Sequence, residues 1–290
     1  MSDAPWETLV QAEALAPRLG ASGLVVLDCR SSLLDPEAGA RAWREGHIPG
    51  ARHVHLDRDL SGPAGVGRGR HPWPEADAFA ARLAAWDVGP DTQVVAYDDG
   101  DGAYAARLWW MLHVLGHRAV AVLDGGWTRW SALGLPSGRE SGVSDSPRAM
   151  PAAATRSAGF LREFLLDAEA VAAHLARGGL LVDARAGERF RGEVEPIDPV
   201  AGHVPGAVSR PYAANLAEGR FKPPARLREE FEALLAGRAP GELVAMCGSG
   251  VTACHHLLAM AHAGLPGARL YTGSWSGWVS DPSRPGATGA

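Results

Sequence analysis

The chain has 290 residues, enough for two domains at roughly 150 residues each. Hydrophobic residues make up 46% and charged residues 21%, which excludes a disordered or collagen-like chain. The 28 basic residues against 33 acidic ones give a net charge of -5, which argues against a non-specific nucleic-acid binder or an anionic-membrane binder while leaving room for a local basic pocket. No run of about 18 apolar residues occurs, so no transmembrane helix is expected. The opening MSDAPWETLV has no basic stretch followed by an apolar core, so no secretory leader is expected either. Three cysteines, Cys29, Cys247 and Cys254, are too few and too scattered for a disulfide framework or a zinc site. A cytoplasmic enzyme with reduced thiols is the expectation.

In chain order, short apolar runs at Leu24–Leu27, Val94–Tyr97, Ala119–Leu123, Leu180–Val182 and Leu243–Met246 predict buried parallel strands. Helical patterns lie between them at Glu75–Trp86, Ala103–Leu115, Ala168–Leu175, Leu227–Leu235 and Ala253–His262. This alternation predicts an α/β fold, a mostly parallel sheet with helices on both faces.

The same order occurs twice. QAEAL at Gln11 returns as DAEAV at Asp167, VVLDCR at Val25 as LLVDAR at Leu180, and GHIPGA at Gly46 as GHVPGA at Gly202. VVAYD at Val94 returns as LVAMC at Leu243, and GGW at Gly125 as GSW at Gly273. The first three offsets are 155 or 156 and the last two 149 and 148. The drift falls at the glycine-rich Ser61–Arg70 of the first copy, which reads as a surface-loop insertion. Two tandem copies of one domain are therefore expected at residues 1–136 and 158–282. A linker is expected at 137–157 and a flexible tail at 283–290.

Duplicated domains share scaffold, so their differences point to chemistry. The strand ending at Met246 runs into Cys247-Gly-Ser-Gly-Val-Thr-Ala253 and a helix, where the first copy has Asp98-Asp-Gly-Asp-Gly102. In open α/β sheets, ligands sit beyond the carboxyl ends of strands, often at the following helix N-terminus. A cysteine there meets backbone N–H groups and a helix dipole, which stabilise a thiolate. Gly248 and Gly250 allow the tight turn that aims those N–H groups inward. The alternative is a small buried hydrophobe, the usual fate of free cysteine.

This loop, the two GH(I/V)PGA blocks and the GGW/GSW pair resemble the two-domain sulfurtransferases, the group that includes rhodanese and 3-mercaptopyruvate sulfurtransferase. The resemblance runs from about Val10 to Trp278. It implies two rhodanese-like domains, a catalytic C-terminal copy, and an N-terminal copy that has lost the cysteine. The implied reaction is a double displacement: Cys247 takes sulfur from a small anionic donor, forms a persulfide, and passes it to a thiol or cyanide acceptor, a thioredoxin-like protein included. No metal or organic cofactor is expected. A Cys-x5-Arg phosphatase or arsenate reductase is the competing class, but the sixth residue after Cys247 is Ala253. A persulfide carrier without turnover is a further alternative.

Family members that prefer thiosulfate carry cations directly after the cysteine, whereas Gly248 and Ser249 are neutral, as in the mercaptopyruvate type. The resemblance therefore implies 3-mercaptopyruvate as donor, with thiosulfate as the alternative. Ser249 is expected to assist catalysis and Gly248, Gly250, Val251 and Thr252 to supply the N–H cradle. Arg189 matches the family arginine that binds the donor's anionic group. A second such arginine is missing: the stretch where animal mercaptopyruvate enzymes carry it reads GEVEPIDP, Gly192–Pro199. His71, from the inserted loop, is a candidate for proton handling, with an exposed loop histidine as the alternative. Trp275 is expected on the pocket wall or in plain core. His47 and His203 occupy equivalent places and read as structural, Arg185 as the scaffold partner of Asp183, and Cys29 and Cys254 as structural.

Overall fold

Two five-stranded sheets with identical strand order carry the repeat into three dimensions. The computed structural model describes residues 4–139 and 159–290, so the expected linker lies outside the described residues from position 140 onward. In the first sheet β1 (Leu9–Val10), β2 (Leu24–Asp28), β3 (Arg52–His53), β4 (Gln93–Tyr97) and β5 (Val120–Leu123) lie in the order β1-β5-β4-β2-β3. In the second, β6 (Leu165–Leu166), β7 (Leu180–Asp183), β8 (Ala207–Ser209), β11 (Leu243–Met246) and β12 (Arg269–Tyr271) lie in the order β6-β12-β11-β7-β8. All pairings within both sheets are parallel. An antiparallel hairpin, β9 (Leu216–Ala217) with β10 (Arg220–Phe221), stands apart. β4 and β11 are buried along their whole length, which is why they read as unbroken apolar runs.

The molecule divides into two units. One comprises Met1–Ser61 and Pro74–Phe160, the other Gly62–Trp73 and Leu161–Ala290. Residues 62–73, expected as an outer loop of the first copy, thus belong with the second. Their backbone is fastened there: Gly67 N–H donates to Ser280 Oγ at 3.1 Å and Arg70 N–H to Ser276 Oγ at 3.1 Å. The fit is tight around Gly69, which has φ +77° and where a Cβ would come within 2.5 Å of the Gly273 carbonyl oxygen.

The expected helices are present at Ala76–Ala85, Ala105–Val114, Ala168–Ala176, Pro224–Leu235 and Cys254–His262. Ala105–Val114 begins two residues later than expected because the preceding N–H groups turn onto Asp98. Pro224–Leu235 begins earlier, with proline in its first turn, where a missing N–H costs nothing. The helix Ala38–Glu45 and strands of two or three residues such as β3 and β8 were not expected, since so few residues show no period.

One buried ion pair recurs in both units at the end of the second strand. Arg30 and Asp28 pair at 2.6 Å, and Arg30 also donates to the Gly46 carbonyl at 2.7 Å. Arg185 and Asp183 pair at 2.7 Å, with Arg185 on the Gly202 carbonyl at 2.7 Å. Each arginine ties its strand to the repeated GH(I/V)PGA turn. The histidine of that turn is structural: His47 Nδ1 meets the Trp43 carbonyl at 2.7 Å and His203 Nδ1 the Phe190 carbonyl at 2.8 Å.

The tail is docked rather than free, which corrects the expectation for 283–290. Ala287 pairs antiparallel with His203, as Gly138 does with His47 in the first unit. Trp278 Nε1 donates to the Pro285 carbonyl at 2.8 Å and Trp130 Nε1 to the Pro136 carbonyl at 2.8 Å. Each copy thus ends in a strap whose carbonyl satisfies a largely buried indole.

Removing one partner of a buried ion pair strands the other charge. Arg30→Met is therefore expected to lower the stability of the first unit by about 3–5 kcal/mol, read by calorimetric unfolding. A change below about 1 kcal/mol would show that Asp28 finds other partners.

Candidate active site

Strand β11 ends at Met246, and the next residue, Cys247, is 2% exposed. Two features fix its position. Its own N–H donates to Ser274 Oγ at 3.1 Å, and its carbonyl accepts from Trp275 N–H at 3.0 Å. The loop then curls back so that Gly250 N–H donates to Cys247 Sγ at 3.2 Å. Gly250 has φ +78°, a conformation that favours glycine, so its place in the sequence follows from the turn. The nine-residue helix Cys254–His262 starts directly beyond, adding the positive end of its dipole. Cys254 donates from Sγ to the Gly250 carbonyl at 3.4 Å and is wholly buried, so it braces the loop from the core.

Ser274 was not singled out in the sequence. It adopts φ +50°, unusual for a residue with a side chain, and its hydroxyl also donates to the Tyr271 carbonyl at 3.0 Å. The signal was present in the repeat: GGW against GSW places Gly126, also at φ +51°, where the second copy has Ser274. The serine keeps a glycine backbone shape in order to supply the Cys247 N–H with an acceptor.

His71 is 7% exposed, which overturns the alternative of an exposed loop histidine. Its Nδ1 lies 2.7 Å from Ser249 Oγ, and Ser249 is itself buried at two residues from Cys247. The inserted segment thus places an imidazole on the active loop. Val251 is buried, and the Val251 and Thr252 carbonyls accept from Cys254 and His255 N–H at the helix entry.

Arg189 comes from the short helix Gly187–Phe190 that follows Arg185. Its Nη2 donates to Glu195 Oε1 at 2.7 Å and to Asp198 Oδ2 at 3.2 Å. Glu195 also accepts from Arg185 at 3.3 Å, and Asp198 pairs with Arg70. A Cβ built on Gly248 would stand 3.7 Å from both terminal nitrogens of Arg189 and 2.9 Å from Arg70 Nη2. Arg191 pairs with Glu193 and is 42% exposed, a solvent-facing neighbour.

Trp275 lies in the core and not on a pocket wall. It is fully buried, its indole N–H donates to the Val200 carbonyl at 2.8 Å, and its ring carries the Arg185 guanidinium at 5.1 Å. Cys29 is also buried, and burial together with Asp28 pushes its thiol well up.

In the first unit the matching loop closes on Asp98. Its carboxylate accepts N–H groups of Gly100, Gly102, Tyr104 and Ala105 at 2.9–3.2 Å. The same strand-to-helix turn therefore holds a fixed carboxylate in one copy and a cysteine sulfur in the other.

A strand-end thiol inside a glycine turn, with Ser249 and His71 buried on the same loop and two arginines beside Gly248, is a candidate sulfur-handling site on a duplicated α/β fold. The rhodanese-like domain family model matches residues 11–133 and 167–281, and the chain belongs to that family. It is 52% identical over 287 residues to a probable 3-mercaptopyruvate sulfurtransferase of Pseudomonas aeruginosa, covering 97% of this chain and 98% of that one. It is 39% identical over 288 residues to a putative thiosulfate sulfurtransferase of Mycobacterium tuberculosis, covering 96% of each. Among solved structures, the 3-mercaptopyruvate enzyme SseA of Escherichia coli matches with a TM-score of 0.77 and 29% identity, over 93% of this chain and all of that one.

Burial, helped by the nearby Asp101 charge, pushes the Asp98 carboxyl up to about 6, against the N–H groups of Ala105, Gly102 and Tyr104 that pull it down. A carboxyl raised in the folded state makes folding take up a proton, so its contribution to stability is lost as pH rises from about 4 through 6. The loss is on the order of 3 kcal/mol. Carboxyl-carbon NMR is expected to find Asp98 titrating near 6. A midpoint below 4 would show that the N–H groups outweigh burial.

Proposed function

We propose that this protein transfers a sulfur atom from 3-mercaptopyruvate, through a persulfide on Cys247, to a thiol or cyanide acceptor. The observation that carries this reading is the Cys247 sulfur held against the Gly250 N–H in a loop joined to His71 through Ser249. The name of the Pseudomonas relative supports the donor. Cys29, Cys247 and Cys254, none of them in a disulfide, suit a reducing, cytoplasmic setting, where a thioredoxin-like protein is a suitable acceptor. Among the described residues no helix is long and apolar enough to cross a membrane.

The Cys247 thiolate attacks the donor sulfur, and the bond between that sulfur and its carbon breaks. The electron pair leaves on the carbon side as the enolate of pyruvate. The donor's thiol proton moves to that carbon, giving pyruvate and an anionic persulfide. Ser249 and His71 hold and pass this proton, the hydroxyl and imidazole lying 2.7 Å apart. The loop N–H groups and the helix dipole bear the negative charge on sulfur. An acceptor thiolate or cyanide then attacks the outer sulfur and restores the Cys247 thiolate. Arg189 holds the donor's carboxylate by charge-assisted hydrogen bonds.

Thiosulfate is the second reading, favoured by the name of the Mycobacterium relative. The two donors differ in their leaving groups. Sulfite leaves thiosulfate with its electron pair and needs no proton on carbon, whereas the pyruvate enolate needs one.

Protein incubated with 3-mercaptopyruvate is expected to gain the mass of one sulfur at Cys247, and Cys247→Ser to abolish both this gain and turnover. Sulfur mapped to Cys29 or Cys254, or substantial turnover by Cys247→Ser, would overturn the assignment.

Wild type is expected to show higher kcat/KM for 3-mercaptopyruvate than for thiosulfate. Ser249→Ala should lower kcat with 3-mercaptopyruvate by about 100-fold, as for a lost proton-transfer group, and with thiosulfate by far less. Equal losses with both donors would remove Ser249 from proton transfer.

A further inference from the structure

We propose that the second unit carries an anion site at the far edge of its sheet from Cys247, where Arg269 and Arg177, with Arg238 beside them, take a small tetrahedral oxyanion of the phosphate or sulfate type. The site is independent of the reaction at Cys247. Strands β7, β11 and β12 run parallel, so their amino ends share one edge and the Cys247 loop lies beyond the other. Arg269 is the first residue of β12, and Arg177 caps the helix Ala168–Ala176 just before β7 begins at Leu180.

Arg269 is anchored by an imidazole. Its Nη2 donates to His174 Nδ1 at 3.2 Å, and His174 is buried with its ring packed on Gly179, where a Cβ would overlap it. An accepting Nδ1 belongs to a neutral imidazole, which fixes the guanidinium without cancelling its charge as a carboxylate would. Burial, then Arg269, and also Arg177 hold the His174 pKa below the ordinary histidine value, against the backbone of Leu180 and Glu242, which favours the charged form.

The carboxylates that answer arginine elsewhere in the molecule are missing at this edge. Arg30, Arg185, Arg189 and Arg210 each pair with one. Among the described residues Arg177, Arg238 and Arg269 form no such pair. Glu242, the carboxylate whose charge acts on Arg269, has its Oε2 on the Ala239 N–H at 2.8 Å. Arg269 Nε is buried and meets no acceptor. Arg238 Nε donates to the carbonyl of Gly178, the residue after Arg177, at 3.4 Å. In a chain of net charge -5, this is a local gathering of cations and no general surplus.

The two copies differ here as they do at Cys247. Leu270 pairs with Leu165 as Val122 pairs with Leu9, so Arg269 stands where the first unit has Ala121, and Arg177 falls at Ala21 in the repeat. A cation at 177 also suits the negative end of the helix before it, but Arg269 begins a strand and gains nothing from that. Guanidinium forks match the oxygens of a tetrahedral oxyanion, and one such ion supplies both the missing acceptor and the missing negative charge.

The test is calorimetric titration of inorganic phosphate, and separately of sulfate, into wild type, Arg269→Gln, Arg177→Gln and Arg189→Gln. Wild type is expected to bind at least one of the two ions with a Kd of about 1 mM or tighter. Arg269→Gln and Arg177→Gln should each weaken that binding about fivefold or more, and Arg189→Gln should leave it within about twofold. No saturable binding of either ion up to about 20 mM would overturn the proposal. Binding lost in Arg189→Gln and kept in Arg269→Gln would also overturn it, since the ion would then sit by the Cys247 loop. If Arg269→Gln does not fold, Arg177→Gln, altered at an exposed side chain, decides: the same weakening supports the site and an unchanged Kd overturns it.

Discussion

A strand that turns directly into a helix leaves a ring of N–H groups with no backbone partner, and something with negative character has to meet them. Both halves of this molecule are organised around that demand. In the first unit the Asp98 carboxylate takes four N–H groups and fills the turn. In the second, Cys247 offers its sulfur to the Gly250 N–H. The carboxylate makes a finished scaffold.

The arginines around the Cys247 loop are held by carboxylate contacts in low-exposure surroundings. Asp183 fixes Arg185, Glu195 joins Arg185 to Arg189, and Asp198 joins Arg189 to Arg70. A chain of this kind adds rigidity more than net stability, since each buried charge is costly unless matched. Its value lies in placement: long flexible arginine side chains are each left with one arrangement. The duplicated Asp28–Arg30 pair shows that the first link is scaffold, present with or without a reactive sulfur. The later links, Glu195 and Asp198, occur where the second copy departs from the first.

The segment 62–73 brings Arg70 and His71 into the second unit, although it interrupts the first copy in sequence. Its glycines allow close backbone packing against the Gly273–Ser276 turn. That turn also supplies Ser274 to the Cys247 N–H and Ser276 to the Arg70 N–H. One short element thus positions both Cys247 and the inserted segment, and the positive φ of Ser274 is the strain that goes with it.

The repeat, the strand positions and the candidate cysteine were legible in the chain because they rest on local chemistry: apolar runs of strand length, glycines at a forced turn, and a difference between two otherwise matched copies. Cys247 could be singled out from that alone, as could the scaffold role of Arg185, His47 and His203, whereas Ser249 and Arg189 were named through the resemblance to two-domain sulfurtransferases. What the chain order hid is long-range. His71 lies 178 residues from Ser249 in sequence, and Arg70 lies 128 from Asp198. No periodicity links residues so far apart, and a glycine-rich insertion reads as solvated loop until it has a surface to pack on. The docked tail was hidden for the same reason, since only the paired backbone of His203 gives Ala287 a place. Local pattern determined the fold and singled out Cys247; which charges stand in the loop around it was decided by tertiary packing, because electrostatic contact depends on distance in space and leaves no period in sequence.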